Sequence, residues 1–534
     1  MQRAILTLLA GAVVAGCRPA TAPRPEPVTP PEAIARGRGT LPPVPFAEGP
    51  LAPRVEYPRP EQMIQSRDSN FILGSVGNGR ASLTINGQPV PVWPNGAFLA
   101  WVANPAPTAR PAYELAATLG EETAWLTLPV RVAGMPIPDS VRLIPDSLRP
   151  PPPPPNVVTD TTPAWVVLGD SALAQSDTDR VIVGRPGPNS VYRWFLLPGT
   201  RAQVTARYPG FARIRLDSAL QIWVAAEDAR TFAADTARPV RVAGNARVRS
   251  HADWSDLIIP ISERPAYFVE ERENSLELTL YGTRGSTDQV AYPSADSLIK
   301  LVEWEQALTD RAVYSVRLSQ PPFGYLVMYD NGALVLRVRR PPQPVTGSAL
   351  AGLTIAVDAG HPPGGAVGPT GYLESDAVLP VAFALQRILE ERGAAVFMTR
   401  TTRDAVDLGM RPIMARRAGA HAFVSLHYNA YGDGVNPFVQ PNGMEVYFYR
   451  PRSEPLARAI QAYLLAYQPL PDQGVLFRSL AVVRTTWMPA VLAEGGFMMI
   501  PEQENAMRTP EFQERYASAV ADGLEAYFRA VRSP

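Results

Sequence analysis

The sequence predicts a multidomain protein in which three small all-β modules precede a C-terminal α/β domain with a mixed sheet flanked by helices. Its length of 534 residues is enough for three or four domains. The 58 prolines cluster, which indicates linkers between compact units. Before residue 350 apolar and polar residues alternate, whereas after it apolar residues recur at helical spacing between short apolar runs. Strands that alternate with helices predict an α/β layer fold.

The charge balance excludes one class of partner. The chain carries 50 basic and 50 acidic residues, so no broad cationic surface indicates a nucleic-acid partner. Lys300 is the only lysine, and arginine therefore supplies almost all of the positive charge. Because the chain has a single cysteine, no disulfide can form within it.

The first 17 residues have the organisation of an export signal. A cationic start, Met1–Arg3, precedes an apolar run from Ala4 to Ala15 that is too short to span a bilayer comfortably. The run ends in Val-Ala-Gly-Cys17, which resembles the bacterial lipobox, whose cysteine is lipidated and becomes the first residue. The resemblance implies a lipoprotein that is anchored to a membrane through Cys17. The alternative is an ordinary secretory signal with an incidental cysteine.

Residues 18–65 are rich in proline and predict an extended tether behind Cys17. At about 3.1 Å per residue, such a tether reaches on the order of 100 Å from the membrane. Arg18, rather than aspartate, follows the cysteine. By the usual sorting rule for bacterial lipoproteins, this favours the periplasmic face of an outer membrane, or the cell membrane where a cell has only one. The expected location is the cell envelope.

Three β-patterned stretches follow the tether. In residues 66–133, alternating strands joined by Asn-Gly turns resemble bacterial immunoglobulin-like modules. A Pro-rich linker covers residues 134–160. Residues 161–235 resemble a bacterial Src-homology-3-like barrel, a family whose members often bind wall peptides, although the aromatic residues here fit a core role equally well. Residues 236–345 are again β-rich.

Residues 350–534 form the predicted α/β domain. An apolar stripe through residues 378–389 predicts its first helix, which Gly393 ends. Further helices are expected at about 407–418, 456–465 and 512–531, and strands at 355–357, 395–398, 422–426, 444–449 and 490–492.

Two histidines and two glutamates in this domain are the candidate site residues. His361 and His427 each follow or close a predicted strand, and Glu374 follows His361 after a turn-rich loop. Two imidazoles and one carboxylate are a familiar ligand set for catalytic zinc, with the fourth position left for water. Glu494 lies at the end of another predicted strand, before two glycines. Its carboxylate would serve as the general base and acid that amide hydrolysis needs.

Four segments, in this order along about residues 353–531, surround these candidates: Asp358-Ala-Gly-His361, Gly371-Tyr-Leu-Glu374, Ser425-Leu-His-Tyr-Asn-Ala430 and Pro489–Pro501. Together they resemble the catalytic domain of the zinc-dependent N-acetylmuramoyl-L-alanine amidases. The resemblance implies that Zn²⁺ is bound by His361, Glu374 and His427 and that Glu494 is the catalytic acid/base.

The same resemblance implies an enzyme that cleaves the amide bond between N-acetylmuramic acid and the L-alanine of peptidoglycan stem peptides. Such an enzyme acts in wall remodelling or daughter-cell separation. Residues 236–345 then look like the β-rich wall-targeting domain that precedes many wall amidases. Peptidoglycan is the implied substrate, and no sequence feature identifies a divisome or activator partner.

The sequence departs from the family pattern in two places. The family usually has Gly-Gly directly after the first histidine, whereas Pro362-Pro363 stand here, which should stiffen the loop and leave His361 in place. Regulated members also carry a long insertion after the third ligand, with a helix that blocks the zinc. Only about seventeen residues separate His427 from Met444 here, too few for a helix and its connections. We therefore expect an unblocked metal site.

Two other functions remain open at this point. The chain would be a catalytically silent or partner-activated wall-binding lipoprotein if the amidase-like domain served only as a scaffold. It would be a zinc peptidase if it cut within the stem peptide. The presence of all four site residues favours an active enzyme, and the four segments match the amidase family more closely than a peptidase.

Several neighbouring polar residues have more ordinary interpretations. Ser425 and Asn429 flank a ligand and are candidates for orienting it. His421 begins the strand that leads to His427, but six residues along a strand place it about 20 Å away, so a surface role is expected. His251 has no candidate partner. Arg400 and Arg416 are candidates for contact with an acidic stem peptide, although salt bridging or solvation is the more ordinary role.

Overall fold

The computed structural model describes residues 39–66, 68–106, 108, 110–132, 158–159, 164–169, 181–231, 239–293, 296–343 and 346–532. Cys17, the first part of the tether and most of the Pro-rich linker lie outside the described residues, so their interpretations stay predictions. Within the described residues, no helix has the length and the apolar character needed to cross a bilayer.

The first β module, residues 39–132, has two main sheets around one core. A three-stranded sheet has the order β1-β3-β6, a four-stranded sheet has the order β5-β4-β7-β8, and β2 pairs with β9. Apolar side chains of both larger sheets, such as Ile72 and Leu115, meet in the core. The strands are β1 Arg54–Tyr57, β2 Met63–Ile64, β3 Ser69–Ser75, β4 Ser82–Ile85, β5 Gln88–Val90, β6 Ala97–Ala103, β7 Ala112–Leu119, β8 Glu122–Pro129 and β9 Arg131–Val132.

The second β module, residues 158–231, has a six-stranded sheet and a two-stranded sheet. The larger sheet has the order β16-β15-β14-β11-β17, with β10 also paired to β14, and β12 pairs with β13. Its core extends into the next module, since Ala266 and Tyr281 pack against it. The strands are β10 Val158–Thr159, β11 Trp165–Leu168, β12 Ile182–Gly184, β13 Trp194–Leu196, β14 Arg201–Tyr208, β15 Phe211–Arg215, β16 Gln221–Ala225 and β17 Ala229–Thr231.

The third β module, residues 239–343, has a five-stranded sheet in the order β24-β19-β20-β28-β27 and a four-stranded sheet in the order β21-β22-β26-β25. β18 pairs with β23. The strands are β18 Val242–Ala243, β19 Ala246–Ser250, β20 Trp254–Pro260, β21 Ala266–Arg272, β22 Ser275–Tyr281, β23 Arg284–Gly285, β24 Val290–Ala291, β25 Ile299–Leu308, β26 Arg311–Leu318, β27 Gly324–Asp330 and β28 Ala333–Arg339.

The C-terminal domain is built on one six-stranded mixed sheet with the order β30-β29-β31-β34-β32-β33. β29, β30, β31 and β34 are parallel, whereas β32 is antiparallel to β34. The strands are β29 Thr354–Ala359, β30 Ala395–Met398, β31 Ala422–Asn429, β32 Met444–Phe448, β33 Asp472–Phe477 and β34 Ala490–Phe497. The helices are α1 Glu374–Glu391, α2 Met410–Arg417, α3 Glu454–Tyr467, α4 Pro501–Met507 and α5 Pro510–Val531.

Both faces of this sheet are covered. Successive side chains of a strand point to opposite faces, so Ile355 and Val357 join the large core under α1, α3 and α5. Ala356 instead joins a smaller core on the other face, which includes Ala415 of α2. The predicted C-terminal α/β domain with a mixed sheet and the predicted β-rich regions upstream are confirmed. The immunoglobulin-like and Src-homology-3-like identities and the module boundaries stay predictions. The prediction that residues 18–65 are an extended tether throughout is wrong near its end, because β1 and β2 lie in this stretch and pair with β3 and β9.

Strands β31 and β34 run at least three residues further than the sequence predicts. The expected ends at residues 426 and 492 are wrong, because β31 continues to Asn429 and β34 to Phe497. Each of these strands pairs with a neighbour on both sides, which sustains it through residues that look like strand ends in isolation. Gly495 does not end β34: a Cβ there would lie 2.4 Å from the ring of Tyr516, so glycine permits close packing with α5. Strand β33 and helix α4 were not predicted.

The first β module packs directly on the C-terminal domain. Phe71, Leu73 and Leu99 of its outer face form one apolar cluster with Phe497 and Met499, which lie at and just after the end of β34. This module is therefore fixed close to the strand that carries Glu494.

Candidate metal centre

His361 is held at the rim of the sheet by its own loop. β29 ends at Ala359, and His361 follows with a φ of +55°, in the left-handed region that a non-glycine residue rarely adopts. Its Nδ1 lies 3.0 Å from the carbonyl oxygen of Pro363. Nδ1 therefore acts as the donor to that carbonyl, which leaves Nε2 with a free lone pair. Nε2 lies 3.3 Å from Oε2 of Glu374.

Glu374 is the first residue of α1 and is almost fully buried. Its Oε2 accepts a hydrogen bond from the amide of Ala366 at 2.8 Å, and its Oε1 accepts one from the amide of Tyr428 at 3.1 Å. Burial by itself raises the pKa of this carboxyl. The hydrogen bond with His427 and the charges of His427 and His361 outweigh burial, so the pKa of Glu374 is lowered. Glu374 is thus held as a carboxylate.

His427 lies inside β31, not at its end as predicted, and its ring is oriented from both sides. Nδ1 lies 2.8 Å from Oε1 of Glu374, and Nε2 lies 3.0 Å from Oγ of Ser425. Ser425 in turn donates a hydrogen bond to Oδ2 of Asp358 at 2.6 Å. Ser425 must therefore accept from Nε2–H, which leaves the Nδ1 lone pair of His427 directed toward Glu374. A Cβ on Gly360 would lie 2.3 Å from the His427 ring, so glycine is required there.

These three residues fit a zinc ion. One ligand atom from each of His361, Glu374 and His427 lies within 4.8 Å of the others, and no fourth His, Cys, Asp or Glu of the described residues joins the group. Two neutral imidazoles and a carboxylate are zinc donors that leave an open position. The second nitrogen of each imidazole is already hydrogen-bonded, as is usual for metal-bound histidines. His361 is the most exposed of the three, with 26% of its side chain accessible, so the site opens on its side.

Asp358 and Arg411 form a buried ion pair that supports the site from below. The sequence analysis did not identify this pair. Asp358 is fully buried and accepts hydrogen bonds from Thr399, Ser425 and Arg411, the last at 2.7 Å. Arg411 also donates to the carbonyl oxygens of His361 and Pro362, at 3.2 and 2.9 Å. The signal in the sequence was an acidic residue at the end of the strand that leads to His361.

Glu494 lies in the middle of β34, in register with His427 on one side and Glu445 on the other. Its side chain is buried, and its Oε2 has no hydrogen-bond partner within the described residues. Burial, and then the charges of Glu374 and Glu445, raise the pKa of Glu494 well above the usual range of a glutamate. An orphaned, buried carboxyl beside a candidate metal site is a functional-site signature.

Glu445 of β32 is a further buried glutamate that the sequence analysis missed. It accepts a hydrogen bond from Nδ2 of Asn429 at 2.5 Å and another from the hydroxyl of Tyr447. Burial raises the pKa of Glu445, and both hydrogen bonds oppose that change. Asn429 therefore contacts a carboxylate beside Glu494, whereas Ser425 contacts His427 itself.

The first β module borders the site at two loops. Asp433, in the loop after β31, accepts hydrogen bonds from the hydroxyl of Tyr57, from the amide of Gln65 at 2.9 Å and from Nδ2 of Asn70 at 3.3 Å. Arg54 donates to the carbonyl oxygen of Thr370 at 2.8 Å, in the loop between His361 and Glu374. Residues 428–443 contain no α-helix and one 3-10 turn, Pro437–Val439; that the metal site is unblocked stays a prediction.

The other polar candidates have structural roles. His421 was expected at the surface, which is wrong: it is half-buried, its Nδ1 accepts from the amide of Thr354 at 3.0 Å, and burial followed by the charge of Arg339 lowers its pKa to about 4. Nε2 of His251 lies 3.4 Å from Oδ2 of Asp256, within ion-pair distance, but makes no hydrogen bond within the described residues. Arg400 is buried and donates to four backbone carbonyls, so the expectation of a salt bridge or solvation is wrong.

Comparison with known proteins assigns a family to part of the chain. Residues 355–526 match the family profile described as N-acetylmuramoyl-L-alanine amidase. A Staphylococcus aureus protein named "Probable cell wall amidase LytH" is 35% identical over 185 residues, which are 34% of this chain. The match spans 60% of the length of that curated relative.

Two solved structures are similar to the same region. The N-acetylmuramoyl-L-alanine amidase AmiC2 of Nostoc punctiforme is 32% identical, with 33% of this chain and 96% of that chain covered and a TM-score of 0.30. The catalytic domain of the amidase CwlV from Bacillus (Paenibacillus) polymyxa var. colistinus is 31% identical, with 32% and 96% covered and a TM-score of 0.30. Because both TM-scores are below 0.5, the family assignment is based on the sequence matches.

Proposed function

Because residues 355–526 form a domain of the N-acetylmuramoyl-L-alanine amidase family, we propose that this protein is a zinc-dependent hydrolase of peptidoglycan. It cleaves the amide bond between N-acetylmuramic acid and the L-alanine of stem peptides, in wall remodelling or daughter-cell separation. The observation that carries this proposal is the convergence of His361, Glu374 and His427 within 4.8 Å beside β34, the strand of Glu494.

Each group has a distinct role in this proposal. His361, Glu374 and His427 would hold a zinc ion, which would supply the Lewis acidity needed to polarise the amide carbonyl and activate water. Ser425 and Pro363 fix the two imidazoles in the tautomers that offer a lone pair to the metal. The exposed side of His361 faces the entering substrate.

Glu494 carries the proton in this mechanism. Its carboxylate takes a proton from the attacking water and returns it to the nitrogen of the leaving L-alanine as the amide bond breaks. The raised pKa of Glu494 suits both proton-transfer steps. Near neutral pH it makes the carboxylate a stronger base toward water than an ordinary glutamate, and it keeps the proton available for the leaving nitrogen. Glu445 supports this role because its charge contributes to the raised pKa of Glu494.

We further propose that lipidated Cys17 anchors the enzyme in the cell envelope, on the periplasmic face of the outer membrane where there is one. The sequence of the lipobox and Arg18 support this location. Metabolic labelling with a radioactive fatty acid tests it. Label should enter the wild-type protein and be absent from Cys17→Ala, and equal labelling of the two would contradict the proposal.

An end-group assay tests the activity. The soluble chain without residues 1–17 is incubated with purified peptidoglycan, with and without a zinc chelator, beside Glu494→Ala and the exposed control Glu511→Ala. New L-alanine amino groups should appear with the wild type and the control and vanish with the chelator or with Glu494→Ala. Release of internal amino groups instead would indicate a zinc peptidase. No release from zinc-loaded wild type would indicate a scaffold or a partner-activated protein.

A further inference from the structure

A cleft of 410 Å³ lies away from the metal centre, where the second β module, the third β module and the C-terminal domain meet. The second module contributes Arg193 and Phe195, the third contributes Tyr325, and the C-terminal domain contributes Arg450, Arg484 and Trp487. None of the four site residues lines this cleft. It is therefore a separate concavity that no single module forms alone.

Three arginines reach this cleft without an ion-pair partner within the described residues, although the charge of Glu271, which is itself paired with Arg452, also acts on Arg450. In the described part of the chain, no ion pair joins Arg193, Arg450 or Arg484 to an acidic group. Arg450 donates through Nε to the carbonyl oxygen of Arg484 at 3.2 Å, and Arg484 donates through Nη1 to that of Ser479 at 2.8 Å. Asp407 also lines the cleft, but its Oδ1 already accepts from the amides of Gly409 and Met410, at 2.9 and 3.1 Å.

Aromatic rings contact all three guanidinium groups. The guanidinium carbon of Arg484 lies 4.7 Å from the ring centroid of Tyr192, that of Arg450 lies 5.1 Å from Tyr449, and that of Arg193 lies 5.7 Å from Phe268. Burial lowers the pKa of Arg484, and the positive charge of Arg450 adds to that effect. A bound anion would reduce the repulsion between these partly desolvated positive charges.

The remainder of the wall is largely apolar and aromatic. Phe195, Tyr325 and Trp487 stand beside aliphatic side chains from all three parts of the chain. Such a wall does not suit a small hydrated ion by itself. It suits a ligand whose anionic groups meet the arginines while an apolar body lies against the rings.

We propose that this inter-module cleft binds a short peptide with free carboxylates, separately from the metal centre. This inference rests on the proposed function for its ligand, because the peptide that the amidase reaction releases ends in a carboxylate. Guanidinium groups bind carboxylates in a two-pronged geometry, and the aromatic wall accepts aliphatic side chains of the peptide. The cleft would thus hold the enzyme on the peptide part of the wall while the metal centre acts on another strand.

Calorimetric titration tests this site without catalysis. The full soluble chain carries Glu494→Ala and is kept in chelator, so neither turnover nor a metal contributes to binding. The probe is the synthetic tetrapeptide L-Ala-γ-D-Glu-L-Lys-D-Ala, compared with the same peptide amidated at both carboxyl groups. The amidated peptide should bind about tenfold more weakly or worse, since charge-assisted hydrogen bonds are lost.

Substitutions test whether the tetrapeptide binds in this cleft. Arg193 is exposed and makes no hydrogen bond through its side chain in the described structure, so Arg193→Gln should fold normally and weaken the tetrapeptide about tenfold. Arg284→Gln, at an exposed arginine of the third module away from the cleft, is the matched control and should leave binding unchanged. Met410→Glu at the rim adds a repelling carboxylate and should also weaken binding.

The proposal would be overturned if the tetrapeptide showed no saturable binding, or if the amidated peptide bound equally well. It would also be overturned if Arg193→Gln and Arg284→Gln weakened binding equally, or if pyrophosphate displaced the tetrapeptide at an equal concentration. The last would identify a phosphate site in place of a carboxylate site. Failure here is distinguishable from failure of the proposed function, because the end-group assay measures amide cleavage by the wild-type chain, and this titration measures binding by an inactive one.

Discussion

Two buried glutamates close to one another have opposite electrostatic properties. Glu374 begins a helix and accepts hydrogen bonds from two backbone amides, and His427 and His361 stand beside its carboxylate. Glu494 lies in the middle of a strand, and its Oε2 has no hydrogen-bond partner within the described residues. The pKa of the first is lowered, whereas the pKa of the second is raised well above the usual range. Burial is common to both, so the partners decide the direction.

This difference supports the two proposed roles. A glutamate that binds a metal must be ionised. The surroundings of Glu374 already stabilise its negative charge, which suits it to that role. A proton carrier must exchange its proton near the working pH, and a site that destabilises negative charge prepares Glu494 for that one. The two environments push the pKa values of neighbouring acids apart, which is the usual way in which one site obtains both a charged and a protonatable carboxyl.

The largest expected effect comes from removing the proton carrier. Glu494→Ala should lower kcat about 10²–10⁴-fold, which is the usual contribution of a general acid/base. Zinc content should stay at the wild-type level, because Glu494 is not in the ligand group. Rates of L-alanine release and metal analysis of the same preparation check both statements, with Glu511→Ala as the control. A variant that lost its zinc would contradict the division of roles.

The main effect of Glu374→Gln should be a loss of zinc affinity. The change removes the only anionic ligand, so zinc affinity should fall by more than about 100-fold, given that loss of a group that merely orients a ligand costs about 10–100-fold. Competition with a chromophoric chelator measures the affinity. Unchanged affinity would mean that Glu374 does not bind the metal.

Ser425→Ala tests whether the hydrogen bond between Ser425 and the His427 ring matters for metal binding. Without Oγ, Nε2 of His427 loses its acceptor and Asp358 loses a donor. Zinc affinity should fall about 10–100-fold. Ser348→Ala, whose hydroxyl accepts from the amide of Leu350 outside the site, is the control and should bind zinc normally. Equal affinities in the two variants would show that Ser425 does not orient His427.

The smallest effect concerns stability. A carboxyl whose folded pKa is raised favours folding only while protonated, so this contribution is lost as pH rises from about 4.3, the unfolded value, through the folded pKa. In metal-free protein, Glu494→Gln should therefore be more stable than the wild type at neutral pH, by about 0.5–2 kcal/mol. The difference should grow with pH above about 4.3.

Thermal unfolding in chelator across pH 5–8 measures that difference, and an enzyme commonly gives up stability of this size for function. A difference that stays constant with pH, or that falls as pH rises, would contradict the raised pKa of Glu494.

The local features of this protein could be predicted from short stretches of its sequence. His361, Glu374, His427 and Glu494 stand in short motifs, and each is recognisable from its immediate neighbours. The stripe that predicts α1, the glycine after it and the strand Ala395–Met398 are equally local, because periodicity and turn residues act over a few positions. The C-terminal α/β domain and the β-rich regions before it were predictable for the same reason.

The interactions between these local features depend on the folded arrangement of the chain. β31 and β34 extend through His427 and Glu494 because neighbouring strands pair with them on both sides, which no local pattern reveals. Burial, and then the charges of Glu374 and Glu445, both far away in sequence, raise the pKa of Glu494, and Asp358 contacts His427 through Ser425. The contacts of Asp433 with Tyr57 and Asn70 join residues more than 350 positions apart. Electrostatics and packing depend on distance in space, and the chain sets that distance only when it folds.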